Sequence, residues 1–404
     1  MRLACLLVIA SALSLLPLPS VADEAGVDPY VGRWNLRIDG TGDTFSSSWI
    51  GIEKAGGGYT GACVWKWGSV ESIRDIAVEN GELRFRRGDE SFKAKRTGDE
   101  LRGEATMKDG KKFAFAGRKA DEMCDVAGTW KVRRVGDPSG KTATLVLEEK
   151  SGKITGSATD PDGLSYEIAD AKLEGYTLTL EALPKGGGDG GTRKLRCEIR
   201  GDTLVGKDEV KLPGKDETQT IELEGKRERQ WGEPVHLLAK DGLAGWSSRD
   251  PNRKLGWKVV DGVLENTPPD VDIKSDASFR DFKLHLEYNV DPKSNSGVYL
   301  RGRYELQVLG DTRIQDHGNM ALYSRLKPKK NPIKVGEWNS LDVEFVGRWL
   351  TVVLNGETVY DNQYVEGPTG GAFGDPEEEK PGPLLLQGDH GKIRYRNIVV
   401  TPAK

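Results

Sequence analysis

The chain has 404 residues and a formal net charge of −4, with its basic and acidic residues interleaved. That length exceeds what one hydrophobic core organises, so two or three domains are expected. The balanced charge argues against a nucleic-acid surface. The 51 glycines punctuate short alternating runs, which favours antiparallel β structure over a helical bundle.

Met1 to Ala22 reads as a secretory signal peptide. Arg2 gives the positive start, Leu3 to Leu18 the apolar core, and Ser20-Val21-Ala22 the small-x-small cleavage site. The apolar stretch is short and broken by Pro17 and Pro19, so no membrane span is expected. The mature chain is expected outside the cytoplasm, periplasmic or extracellular. It keeps Cys63, Cys124 and Cys197, an odd number that permits at most one internal disulfide and has no zinc-ligand spacing. Buried thiols are the simpler reading.

Two segments, 28–120 and 125–228, read as diverged copies. Gly32-Arg33-Trp34 answers Gly128-Thr129-Trp130, and Gly98 to Gly103 answers Gly201 to Gly206. Each copy ends in a basic cluster. This layout resembles the lipocalin-like group of small β-barrels, in which a first-strand tryptophan packs under a basic residue after the last strand. The resemblance pairs Trp34 with Arg118, and Trp130 with Lys226 or Arg227. The barrels are candidates for spacers or protein-contact modules filled by their own side chains, or for small-ligand modules.

A third segment, 233–404, follows a joint at Gln230 to Pro234. Phe282 to Tyr288 and Leu341 to Phe345 alternate as half-buried strands, and Asn355-Gly356 marks a two-residue hairpin turn. Repeated antiparallel strands here suggest a two-sheet jelly-roll sandwich. The segment centres on Ser294 to Asp311. A three-residue turn at Arg301-Gly302-Arg303 places Tyr299 opposite Glu305 and Gly297 opposite Gln307. One face then carries Val298, Leu300, Tyr304, Leu306 and Val308, and the other Tyr299, Glu305 and Gln307. That polar face suits sugar recognition, or is an ordinary solvated sheet face. The loop from Glu366 to Pro383, with its acidic run Glu377 to Glu379, either borders the cleft or, as a charge run in a loop favours, is solvated. Trp246, Trp257, Trp338 and Trp349 read as core or turn packing.

Six motifs in order then carry a family resemblance: N-S-G-V-Y-L-R at Asn295 to Arg301, Y-E-L-Q-V at Tyr304 to Val308, and H-G-x-x-A-L-Y at His317 to Tyr323. The others are G-E-W-N at Gly336 to Asn339, L-N-G-x-x-V-x-D-N at Leu354 to Asn362, and P-G-P-L-L-L-Q-G-D-H-G at Pro381 to Gly391. The segment resembles the 3-keto-disaccharide hydrolases, also described as 3-keto-glucoside 1,2-lyases and 3-keto-2-hydroxyglucal hydratases. The resemblance implies a concanavalin-like sandwich acting on an oxidised di- or oligosaccharide or glycoside.

The expected chain is therefore all-β: two lipocalin-like barrels, then this sandwich. A ketone at carbon 3 acidifies the carbon-2 proton, so the reaction needs a base, donors at the ketone oxygen and an acid at the leaving oxygen. Glu305 and His390 are the candidate acid–base pair and Arg301 the candidate enolate stabiliser, with Arg301 and His390 expected together near one end of the polar face. Asn295, Tyr299, Arg303, Gln307, His317, Gln387 and Asp389 are candidate substrate contacts. Asp389 and His390 are also candidate ligands for a divalent metal ion, although no multi-ligand motif and no cofactor signature stands out. A non-catalytic glycan-binding protein on the same fold is the alternative.

Overall fold

The computed structural model describes residues 28–38, 47–66, 68–121, 123–187, 190–240, 242–268, 270–374 and 376–404. The signal-like segment lies outside them. The described residues contain no α-helix, only strands and one short 3-10 turn at Lys185–Gly187. No helix among them is long and apolar enough to cross a membrane.

The chain begins with nine antiparallel strands in one sheet, in which Gly32–Ile38 lies between Ser48–Ala55 and Lys112–Lys119. The sheet curls until it is nearly a barrel. Eight further strands, from Gly128–Arg134 to Thr218–Arg227, close fully, with the first bonded to the last. Closure removes the open edges that would otherwise recruit other chains.

The two units are alike at their anchor points. Trp34 and Trp130 are completely buried. The Trp34 indole donates to Tyr30 O at 3.0 Å and the Trp130 indole to Val126 O at 2.9 Å, each four residues back. Arg227 stacks on Trp130, its guanidinium carbon 4.7 Å from the ring centre. The first copy departs from expectation. Trp34 faces Lys119, not Arg118, across the strand pair, and the Lys119 ammonium lies 5.5 Å from the ring. Arg118 pairs instead with Asn35, and strand alternation turns it outward.

Residues from Val235 onward form two facing sheets. The larger contains Phe282–Val290, Trp338–Val346, Trp349–Leu354, Glu357–Tyr364 and Ile393–Pro402. The smaller runs in the order Trp246–Ser248, Ile273–Phe279, Gly382–Leu386, Asn295–Leu300, Tyr304–Leu309. Leu284, Leu286 and Tyr288 meet Val298, Leu300, Leu306 and Leu386 in one shared core. Burying each large apolar side chain there contributes roughly 1.5–3 kcal/mol.

The joint is tied down rather than loose. Gly232 N donates to Pro402 O at 2.7 Å and Lys404 N to Gln230 O at 3.0 Å. Cys63 and Cys197 are buried free thiols, and Cys124 is half-buried. Burial pushes the thiols of Cys63 and Cys197 up to about 12. Trp246, Trp257 and Trp349 are buried, as expected of packing residues. Trp349 meets Tyr176 of the second barrel edge-on, with ring centres 6.1 Å apart.

Candidate active site

The hairpin at residues 295–309 has the three-residue turn its alternation requires. Tyr299 pairs with Glu305, Gly297 with Gln307 and Leu300 with Tyr304. Arg301 and Gly302 take positive φ, 53° and 68°, which closes the turn.

The polar face continues across the smaller sheet. Ser247 pairs with Lys274, Lys274 with Leu385, Leu385 with Tyr299, and Tyr299 with Glu305. Because side chains alternate, these residues share one face. The neighbouring row on that face holds Arg249, Asp272, Gln387 and Gln307. Arg249 N donates to Asp272 O at 2.9 Å, and Gln387 N to Gly297 O at 3.0 Å. Sequence reading missed Arg249, Asp272 and Lys274.

The face is not solvated. Tyr299 and Glu305 are each 2 % exposed and Gln307 is 5 % exposed. Burial raises the Glu305 carboxyl to about 8, helped by the negative charges of Asp272 and Asp389 and opposed by a hydrogen bond from the Tyr299 phenol. The same burial holds the Tyr299 phenol well above its usual range. Burial also raises Asp272, against the Gly388 amide at 3.0 Å and the Arg249 guanidinium at 2.9 Å. With its amide oriented to face acceptors, Gln307 donates to Glu305 Oε1 at 3.2 Å and to Asn295 Oδ1 at 3.2 Å. Gly297 leaves room for the carboxyl: an added Cβ there would stand 2.3 Å from Glu305 Oε1 and displace it.

Residues 366–374 and 376–381 form the cover, and the acidic run within them is not simply solvated. Glu378 is fully buried. It pairs with Arg33 and with Arg348, and it accepts from the Tyr304 hydroxyl and from Gly367 N at 2.8 Å. The two guanidiniums and these donors supply partners for a carboxylate that burial would otherwise leave unpaired.

Two expected members of the site are not where the motifs suggested. Arg301 leaves the polar face altogether. Its guanidinium donates to Arg280 O, to Gly347 O at 2.8 Å and to Asp281 Oδ1 at 3.2 Å, and it stacks on Phe345. The positive φ at the turn takes its side chain out of the strand alternation. His390 lies at the other end of the hairpin, in a turn whose Gly391 packs on Ser294 and Asn295. Five strand residues, about 17 Å, separate the two ends. The expectation that Arg301 and His390 stand together therefore fails.

The remaining candidates are spread around the group. His390 is exposed, with Nδ1 hydrogen-bonded to Asp389. Arg303 is buried and donates to Lys380 O at 3.0 Å. His317 is exposed, bonded to Asp316 at 2.8 Å, with its ring edge-on to Tyr323. Tyr323 N donates to Glu305 O at 3.1 Å, so the Tyr323 backbone extends the sheet beside Glu305. Asn295 and Gln387 are half-buried, and Asp389 is open to solvent. No three His, Cys, Asp or Glu side chains among the described residues are placed to hold a metal ion. Asp272 is already engaged by Arg249 and Gly388. These residues do not form a metal cradle.

Comparison with known proteins agrees with the motifs. Residues 235–401 match the family described as the 3-keto-alpha-glucoside-1,2-lyase-like domain. No curated protein matches the chain. A Parabacteroides distasonis ATCC 8503 protein, provisionally described as a glycosyl hydrolase, is 27% identical over 42% of this chain and 83% of its own, with a TM-score of 0.37. A second from that organism, described likewise, is 24% identical over 42% of this chain and 100% of its own, with a TM-score of 0.34. A carbohydrate binding module from Bacillus subtilis is 16% identical over 38% of this chain and 93% of its own, with a TM-score of 0.27. The match of residues 235–401 to the 3-keto-alpha-glucoside-1,2-lyase-like family supports a carbohydrate-active enzyme.

Proposed function

We propose that the chain cleaves 3-keto-glycosides by elimination across carbons 1 and 2, followed by hydration, with Glu305 as the proton-transfer group. The observation that carries this reading is the Glu305 carboxyl, buried opposite Tyr299 and raised to about 8. A carboxylate of that basicity is well matched to removing a proton next to a ketone near neutral pH.

In this proposal the Glu305 carboxylate takes the proton from carbon 2. The electron pair becomes an enolate on the ketone oxygen. The enolate then expels the carbon-1 substituent, leaving a carbon-1–carbon-2 double bond conjugated with the ketone. Water adding across that bond completes net hydrolysis. Tyr299 orients the carboxylate through its phenol. Lys274 and Arg249, on the same face, are the cations for the enolate oxygen, a role that passes to them from Arg301. Asn295, Gln307 and Gln387 bind hydroxyls. His390, held by Asp389 on the exposed rim, protonates the leaving oxygen. Substrate enters from that rim, where Asn295, Gln387 and Asp389 are the accessible members of the face. The signal-like Met1 to Ala22 places this activity outside the cytoplasm in the same proposal.

The test is incubation of the full chain with a 3-keto-glucoside, following ultraviolet absorbance of the conjugated enone and release of the aglycone. Both should appear. Tight binding of the intact glycoside with neither product would assign the face to glycan recognition.

A further inference from the structure

The cover over Glu305 is held from outside the matched domain. Residues 366–374 and 376–381 cross the polar face between the strands Glu357–Tyr364 and Gly382–Leu386. A segment this long without regular structure is usually mobile unless other contacts fix it, and Gly367, Gly370, Gly371 and Gly374 lower its intrinsic order further.

Its inner side touches the site. Glu305 N donates to Thr369 Oγ1 at 2.9 Å, and Thr369 N donates to Arg303 O at 2.8 Å. At Gly371 an added Cβ would stand 2.7 Å from the Tyr299 hydroxyl. Phe373 N donates to Gly302 O at 2.7 Å.

Its outer side rests on the first barrel. The Trp49 indole donates to Pro368 O at 2.8 Å, and at Gly367 an added Cβ would stand 2.8 Å from the Trp49 ring. Ser47 Oγ donates to Gly374 O at 3.2 Å. Arg33 Nε donates to Glu366 Oε1 at 3.2 Å, and the Arg33 guanidinium also pairs with Glu378. Trp49, Arg33 and Glu378 are all buried. Burial opposes ionisation of Glu366, but Arg33 and Arg348 outweigh it and keep its carboxyl below the usual range.

We propose that Arg33 and Trp49 are positioning residues for the proton-transfer site: the first barrel fixes the strap whose Thr369 and Gly371 hold Glu305 and Tyr299 in place. What the site does is taken from the function proposed above; the coupling itself is a matter of contacts. On this reading the first barrel is a working part of the enzyme, not a spacer. Because the strap excludes water from Glu305, loosening it hydrates the carboxyl and lowers its proton affinity toward the ordinary value.

The experiment uses the full chain and the variants Trp49→Phe, Arg33→Met and Arg33→Lys. Trp49→Phe keeps a ring against Gly367 and removes the donor to Pro368. Arg33→Met removes the charge, and Arg33→Lys restores it. Two readouts need no substrate: amide hydrogen exchange across 369–373, and titration of the Glu305 carboxyl by carbon-13 resonance. Exchange there should quicken by about 10-fold or more in Trp49→Phe and Arg33→Met while the second barrel stays unchanged. The Glu305 midpoint should fall below about 8, with partial recovery in Arg33→Lys. With a 3-keto-glucoside, kcat should drop more than KM rises. Strap exchange at the parental rate, or a Glu305 midpoint that stays put while exchange quickens, would overturn the coupling. A parent protein that shows no turnover while both substrate-free readouts shift would overturn the proposed reaction and leave the coupling standing.

Discussion

Tyr299 stands directly opposite Glu305 in the hairpin and donates its phenolic proton to the buried carboxylate. This contact lowers the proton affinity of Glu305, while burial raises it by more. Tyr299→Phe removes the donor and keeps the ring. The Glu305 midpoint should therefore move up from about 8. The rising limb of kcat/KM against pH should move up with it, and turnover at pH 7 should fall by about 10-fold. A limb that stays in place or moves down would separate Tyr299 from Glu305.

The raised carboxyl also predicts how stability depends on pH. Between the ordinary value of 4.5 and about 8, folded Glu305 keeps a proton that the unfolded chain has released. The folded state therefore loses stability as pH rises through that window, with no further loss from this group above it. Glu305→Gln removes this titration. Its stability relative to the parent should grow from pH 4.5 to pH 8 and then level off, by roughly 5 kcal/mol across the window. Urea denaturation at a series of pH values checks this. A constant difference would mean that Glu305 titrates normally.

Arg301 is assigned to the scaffold. Its three donors reach Arg280 O, Gly347 O and Asp281, and its guanidinium carbon lies 3.9 Å from the centre of the Phe345 ring. Arg301→Met leaves two carbonyls and a carboxylate without these bonds and should cost about 3 kcal/mol. Chemical denaturation reads the loss. Parental stability together with abolished turnover would return Arg301 to the chemistry.

The two barrels share one anchoring device, an indole bonded to a carbonyl four residues back beneath a basic side chain. Trp130→Ala empties that site in the second barrel and should destabilise it by about 3–5 kcal/mol. Amide exchange should rise across 128–227 and stay parental across 82–97 in the first barrel. A uniform rise over both would show that they unfold as one unit.

The hairpin was legible in sequence because only one register sorts Val298, Leu300, Leu306 and Val308 from Tyr299, Glu305 and Gln307. The repeats were legible through the Gly-x-Trp starts. The pairing under Trp34 was misread by one residue, and in a strand one residue reverses the face. Lys274 and Asp272 alternate with Ile273 and Val271, so their signal was present in a run too short to stand out. Arg249 follows a strand of only three residues, Trp246–Ser248. Glu378 could not be read from its surroundings, because its partner Arg33 lies in another folded unit far away in the chain. Local composition makes an acidic run look solvated; only the tertiary fold brings two arginines to it.

The central claim is that Glu305 moves a proton. Turnover and binding of a 3-keto-glucoside, measured side by side on the parent and on Glu305→Gln, test it most directly. The amide keeps the size and hydrogen-bonding shape of the carboxyl and removes its titration. The account predicts a fall in turnover of about 100-fold or more, with binding changed only a few-fold. Parental turnover in Glu305→Gln would contradict it.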